Sequence, residues 1–176
     1  MEHWKKLGET YAYRGWRSIL RRHFLLPDQQ SASFDILDAL DYVTVAPLTR
    51  EGKFLIIKQF RPGPETVLLS FPEGAIDPGE TPESSAAREL AEETGYLAGD
   101  LHYLRTFRNS YTVQHQHCFL AIDCEPGQSH LSDPHEFIEL QPIDPSDLKT
   151  LMLDPNGPPF SNVGCGFLAL AKLGLL

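Results

Sequence analysis

The sequence predicts an α/β chain built on a mixed β-sheet with helices packed against it. Two observations point there. Short runs rich in β-branched and aromatic residues follow one another, with turn residues between them, as far as residue 143. Helical patterns are few and come late, at about 82–94, 144–153 and 161–175. Strands and helices therefore do not alternate as a parallel βαβ array requires.

Residues 1–40 open with both tryptophans, Trp4 and Trp16, and with Lys5, Lys6, Arg14, Arg17, Arg21 and Arg22. Here "WRSILRRHFLL" (16–26) and "SASFDILDAL" (31–40) read as strands flanking a turn at "PDQQ". "YVTVAPL" (42–48) and "KFLIIKQF" (53–60) read as a hairpin, because "TREG" between them suits a tight turn. "TVLLSFP" (66–72) is a strand ended by Pro72. "LHYLRTFR" (101–108), "HQHCFLAID" (115–123) and "HEFIELQPI" (135–143) complete the strands. Asp144 and Pro145 suit the cap and first position of one late helix, and Ser161 suits the cap of the last.

A chain of 176 residues fits one domain with a real core. The net charge of −9 argues against nucleic-acid polymers and anionic membrane surfaces, both of which attract basic faces. A small phosphorylated ligand stays open, provided a cation meets its phosphates. Cys118, Cys124 and Cys165 form no CxxC and read as buried packing residues. The N-terminal stretch lacks the apolar core of a signal peptide, and no apolar run is long enough to span a bilayer. A reduced, cytoplasmic setting is expected.

The most informative stretch is "GAIDPGETPESSAARELAEETGY" (74–96). Thr81 can cap a helix, Pro82 suits its first turn, Glu83 faces the positive end of its dipole, and Gly95 is a left-handed stop. Ala86, Ala87 and Leu90 supply its apolar strip. Glu89, Glu92 and Glu93 share one side near the C-terminal end. Carboxylates are disfavoured there by the dipole, and like charges three or four residues apart repel by about 0.2–0.5 kcal/mol per pair. Acidic helix faces are ordinarily solvated surface. A hard divalent cation with oxygen ligands is what would make this cluster favourable.

Gly74, Glu80, Arg88, Glu89, Leu90, Glu92, Glu93 and Gly95 stand at the spacing G-x5-E-x7-R-E-U-x-E-E-x-G-U, with U apolar, and the chain thereby resembles the Nudix hydrolase family. "KQFRPG" (58–63) and "LLSFPEGAIDPGE" (68–80) resemble its ADP-ribose and nucleoside-diphosphate-sugar branch, and "HCFLA" (117–121) a core strand. The resemblance covers about residues 40–145, the last thirty residues loosely, and the first forty only by position. It implies a Nudix-type α/β/α sandwich over 41–176; residues 1–40 are read as an N-terminal antiparallel strand segment and a candidate dimerisation element. It implies hydrolysis of a nucleoside diphosphate linked to another group, with Mg²⁺ or Mn²⁺. Glu89, Glu92 and Glu93 would hold the metal, joined by the Glu73 carbonyl, with Glu92 and Glu93 counted as catalytic. Arg88 and Glu80 would form a structural salt bridge, with Gly74 and Gly95 shaping the loop and the helix end. Arg61 would meet substrate phosphate or sugar. Glu136 is the expected general base, with Asp133 and Glu139 as alternatives.

The chain departs from the branch at "RNSYTVQHQH". Tyr111 and Thr112 follow Ser110 where Pro and Gly are common, and Gln114 stands where Glu is common. Another sugar or nucleotide therefore stays open, as does a nucleoside triphosphate, a nucleotide cofactor, or a non-catalytic sensor of ADP-ribose-like ligands. His115 and His117 share a strand face and are read as pocket or surface residues before metal ligands. Trp4, Trp16 and Tyr11 are read as core or interface anchors before base-stacking groups. A homodimer is expected, because this Trp/Tyr-rich segment lies outside the rest of the fold and needs cover.

Overall fold

The computed structural model describes residues 3–127 and 137–176. By its contacts the chain forms two units, Met1–Asp41 with Phe107–Gln116, and Tyr42–Thr106 with His117–Leu176.

The first unit is a three-stranded antiparallel sheet in the order β1 (Lys5–Tyr13), β2 (Ser18–Leu25), β3 (Ser31–Asp38). The second and third strands were expected; the first was not. Its residues are nearly all exposed, so it shows little burial alternation to betray it. Pairing supplies what pattern lacks: Glu9 accepts from Arg22 at 3.0 Å, and the Tyr11 hydroxyl donates to Asp38 at 3.0 Å. Trp4 packs on Phe24 and Phe34, with ring centroids 6.1 and 5.5 Å away. Trp16 is 100% exposed, and Tyr11 lies under the Arg14 guanidinium. The 107–116 stretch is tied to β3: the Leu37 and Val113 amides donate to the Tyr111 and Leu37 carbonyls. Thr112, standing where the branch favours glycine, donates its hydroxyl to the Leu37 carbonyl and accepts from the Gln114 amide.

The second unit is built on a sheet in the order β11 (Ile138–Ile143), β5 (Phe54–Arg61), β4 (Tyr42–Thr49), β10 (His115–Pro126), β8 (Tyr96–Leu97). β6 (Thr66–Ser70), β7 (Glu73–Ala75) and β9 (Asp100–Arg108) pair with β5, β4 and β10. The turn between β4 and β5 closes as expected, with the Gly52 amide donating to Thr49. β6 stops at Ser70, before the expected Pro72, and β7 and β8 are too short to leave a pattern in sequence. The last strand is Ile138–Ile143, and residues 135 and 136 of the expected run lie outside the described residues.

Side chains alternate across β4 and β10, and each face takes a helix. Val43, Val45, Phe119 and Ala121 join Ala86 and Leu90 of α1 (Pro82–Thr94) in one buried cluster. On the other face Cys118 meets Cys165 of α3 (Val163–Lys172), whose thiol lies 3.8 Å from the Thr44 and Phe119 carbonyls. α2 (Pro145–Leu153) packs beside α3. The layering is the expected α/β/α, and all three cysteines are buried free thiols. Ala87, expected in the apolar strip of α1, is exposed; Ser85 is buried instead, its hydroxyl donating to the Ala75 carbonyl at 3.2 Å. Asp144 holds the cap position of α2 before Pro145, as expected, but its side chain makes no capping bond: both its carboxylate oxygens lie 2.6 Å from the Lys53 ammonium. The cap position of α3 is Asn162 rather than Ser161, and Asn162 makes no side-chain capping bond.

Candidate active site

α1 is well specified at both ends. Thr81 accepts from the Ser84 amide at 3.1 Å, and the Ser84 hydroxyl accepts from the Thr81 amide at 3.0 Å. At the other end Gly95 adopts φ 72°. No basic residue occupies the last turn, so nothing there offsets the acid that the dipole disfavours. Neutralisation comes instead from Arg88, one turn back.

Arg88 is the hub. Its Nε and Nη2 bond both oxygens of Glu80 at 2.8 and 2.9 Å, a two-point grip that fixes the loop against the helix. Nη2 also donates to the Ala75 carbonyl and the Ser85 hydroxyl, while Nη1 reaches Glu89 at 2.7 Å and Glu92 at 2.9 Å. The guanidinium lowers the Glu80 pKa to about 2. Glu80 first, then Glu89 and Glu92, raise that of Arg88 in return.

Glu73, at the start of β7, forms a second knot. One oxygen accepts from Arg61 at 2.9 Å and the other from the Asn162 side-chain amide at 2.8 Å. Its backbone N–H donates to Glu93 at 2.9 Å. Glu93 is only 8% exposed, which is unusual for a carboxylate at a helix end. Gly74 follows for a steric reason. A Cβ built there would lie 2.0 Å from the Glu89 carboxyl carbon, so that side chain fills the space a larger residue would take.

The structure thus brings together Glu73, Gly74, Glu80, Arg88, Glu89, Glu92 and Glu93, and places Arg61 against Glu73. Of these five carboxylates, Glu73 bonds Arg61, Glu80, Glu89 and Glu92 bond Arg88, and Glu93 accepts from the Glu73 amide, so five acids stand beside two guanidiniums. The donors are hard oxygens and the surplus charge is negative, which in donor chemistry fits a divalent cation such as Mg²⁺ or Mn²⁺. Their arrangement is a network with guanidiniums rather than a ready cage: among the described residues, no three His, Cys, Asp or Glu side chains are gathered closely enough to hold an ion.

Glu136 and Asp133 lie outside the described residues. Glu139 is exposed on β11 and bonds Lys58 at 3.2 Å. His115 bonds Asp41 through its backbone amide and its ring, and the His117 ring bonds the Thr106 hydroxyl at 3.0 Å. Sequence reasoning missed Ser85 and Asn162. The signal for Asn162 was the cap-like "SN" before the last helix, but a cap reading sends its side chain to the wrong partner.

A loop, short strand and helix that gather five carboxylates on one face of an α/β/α unit define a recognisable class. A family profile described as the NUDIX domain matches residues 40–162; the chain belongs to the Nudix family and is a Nudix hydrolase. It is 33% identical over 130 residues to the ADP-ribose pyrophosphatase of Bacillus subtilis (strain 168), spanning 72% of this chain and 70% of that one. It is 30% identical over 129 residues to the ADP compounds hydrolase NudE of Escherichia coli (strain K12), spanning 72% and 68%. A solved structure described as an ADP compounds hydrolase shares the fold with a TM-score of 0.85 at 23% identity, covering 100% of this chain and 98% of that one.

Proposed function

We propose that the protein hydrolyses the pyrophosphate bond of a nucleoside diphosphate linked to another group, releasing a nucleoside monophosphate and a sugar phosphate. Nucleoside diphosphate sugars are the substrate class, with ADP-ribose the first to test. The observation that carries this reading is the surplus of carboxylates over guanidiniums at the end of α1. The names of the two relatives support the choice of substrate class.

Glu89, Glu92 and Glu93, with the Glu73 carbonyl, would hold Mg²⁺ or Mn²⁺. The ion would supply charge neutralisation between two anions and a lowered pKa for bound water. Glu93, held by the Glu73 amide, presents a carboxylate whose orientation is fixed before substrate arrives. Glu92 is shared with Arg88, so a cation binding there competes with a guanidinium already on the helix. Arg61, beside Glu73, is the proposed phosphate contact. Glu136 is the proposed base. The N-terminal segment is proposed to form a homodimer through β1, with its exposed Leu7 and Tyr13, and the exposed Trp16 that follows it, and a micromolar monomer by light scattering would reject this. No helix among the described residues is long and apolar enough to cross a membrane, and three buried free thiols suit a reducing cytoplasm.

The test is a panel of nucleoside diphosphate sugars, nucleotide cofactors and nucleoside triphosphates with Mg²⁺ or Mn²⁺. Nucleotide products are resolved chromatographically. Monophosphate release from ADP-ribose or a related sugar is expected. Turnover of triphosphates alone overturns the substrate class, and binding without turnover of any compound makes the protein a sensor.

A further inference from the structure

We propose that Asn162 is a positioning residue for the acidic site, acting through Glu73 on Glu93. The proposal rests on the hydrolytic reading above and extends it to the C-terminal helix.

Asn162 is 6% exposed, so both halves of its amide need partners. Its oxygen accepts from the Phe71 amide at 3.0 Å, and its nitrogen donates to Glu73 at 2.8 Å. Those two partners stand on either side of Pro72, in the segment that leads β6 into β7. The Glu73 amide then donates to Glu93 at 2.9 Å. One side chain before α3 therefore fixes the backbone and the side chain of the segment that orients a buried carboxylate on α1.

The approach to Asn162 is itself held in register. The Leu69 amide donates to the Pro159 carbonyl, and the Ser161 amide donates back to Leu69, both at 2.9 Å. Phe160 stacks edge-on against Phe71, 5.2 Å between ring centroids. These contacts place the residue after Ser161 opposite Phe71. An asparagine there offers one acceptor and one donor, the pair that a backbone N–H and a carboxylate require. As the cap residue of α3 its side chain could have bonded the first turn of its own helix, and it does not.

The discriminating variant is Asn162→Asp. It retains the acceptor for the Phe71 amide and replaces the donor to Glu73 with a like charge. Asn162→Ser, which keeps only a short hydroxyl, is measured beside it. Mn²⁺ affinity without substrate, measured by calorimetry, is expected to fall roughly 10–100-fold, the usual effect of losing a partner that orients a ligand. The kcat is expected to fall by a similar factor, with KM within about twofold of wild type. In a Glu73→Ala background the same substitution should add less than about twofold, because the link is already cut. Wild-type Mn²⁺ affinity and kcat in either folded variant overturn the proposal. Failure of both variants to fold also overturns it, making Asn162 a folding residue only. If the wild-type protein itself binds no Mn²⁺ and cleaves no substrate, the hydrolytic reading fails instead.

Discussion

α1 and α3 begin with residues of the same chemical kind and use them differently. Thr81 bonds the amide three residues along its own helix, in a reciprocal box with Ser84. The Asn162 side chain bonds nothing in α3 and reaches Phe71 and Glu73 instead. The two ends of α1 differ in the same way. Its start obeys every local preference, while its last turn carries Glu92 and the buried Glu93 with no basic residue. Where a position follows local helix chemistry it serves the fold, and where it departs it serves the acidic site. The comparison predicts that substitutions at the first kind change stability and those at the second kind change activity.

The largest effect is expected for Glu93→Gln, which retains the acceptor for the Glu73 amide and removes a charge. Steady-state turnover should fall by roughly 10²–10³-fold. The melting temperature without metal should hold or rise, since the helix end loses an unfavourable charge. Near-wild-type turnover would reduce the cluster to an ordinary acidic surface and end the comparison.

Gly74→Ala comes next. The added Cβ would sit on the Glu89 carboxylate, the movable end of a flexible side chain, so the fold should persist while Glu89 is displaced. A loss of about 10–10²-fold in kcat/KM, as misplaced catalytic groups produce, is expected with a melt close to wild type. A cooperative loss of stability with full specific activity in the surviving enzyme would assign Gly74 to the fold instead.

Thr81→Ala is the opposite case. It should lower stability by about 1 kcal/mol in denaturant titration, the usual worth of such a cap, and leave turnover unchanged. Glu83→Gln, also in the first turn, should leave turnover nearly intact. A marked fall in kcat for either would show that the two ends of α1 are not separable.

The smallest effect concerns acid. Glu80 has its pKa lowered from 4.5 to about 2 by Arg88. A depressed folded-state pKa gives stability that is fully present above about 4.5 and drains away as pH falls toward 2. Melting temperatures of Glu80→Gln should therefore fall less steeply than wild type across that window. Parallel curves would mean the Arg88–Glu80 pair contributes nothing that titrates.

Much of the fold follows from local rules and was legible without coordinates. The hairpin of β4 and β5, the span Pro82–Thr94 and its Gly95 stop each depend on a few adjacent residues with strong preferences. What escaped was non-local. β1 shows little burial alternation and is held by β2, and β7 spans only Glu73–Ala75. Among the site residues, the spacing from Gly74 to Gly95 identified the acids and their guanidinium partner. It could not say that Glu73 would accept from Asn162, 89 residues away.

By itself the sequence determined the family, the helix that carries the acid, and the charge excess that asks for a cation. Spacing along one helix and one loop encodes all of these within about twenty residues. The tertiary structure alone decided how each carboxylate is held: Glu89 in the hollow over Gly74, Glu93 on the Glu73 amide, and Glu73 between Arg61 and Asn162. The physical reason is that a buried polar group must find its partner wherever the packed chain supplies one, and sequence distance plays no part in that choice.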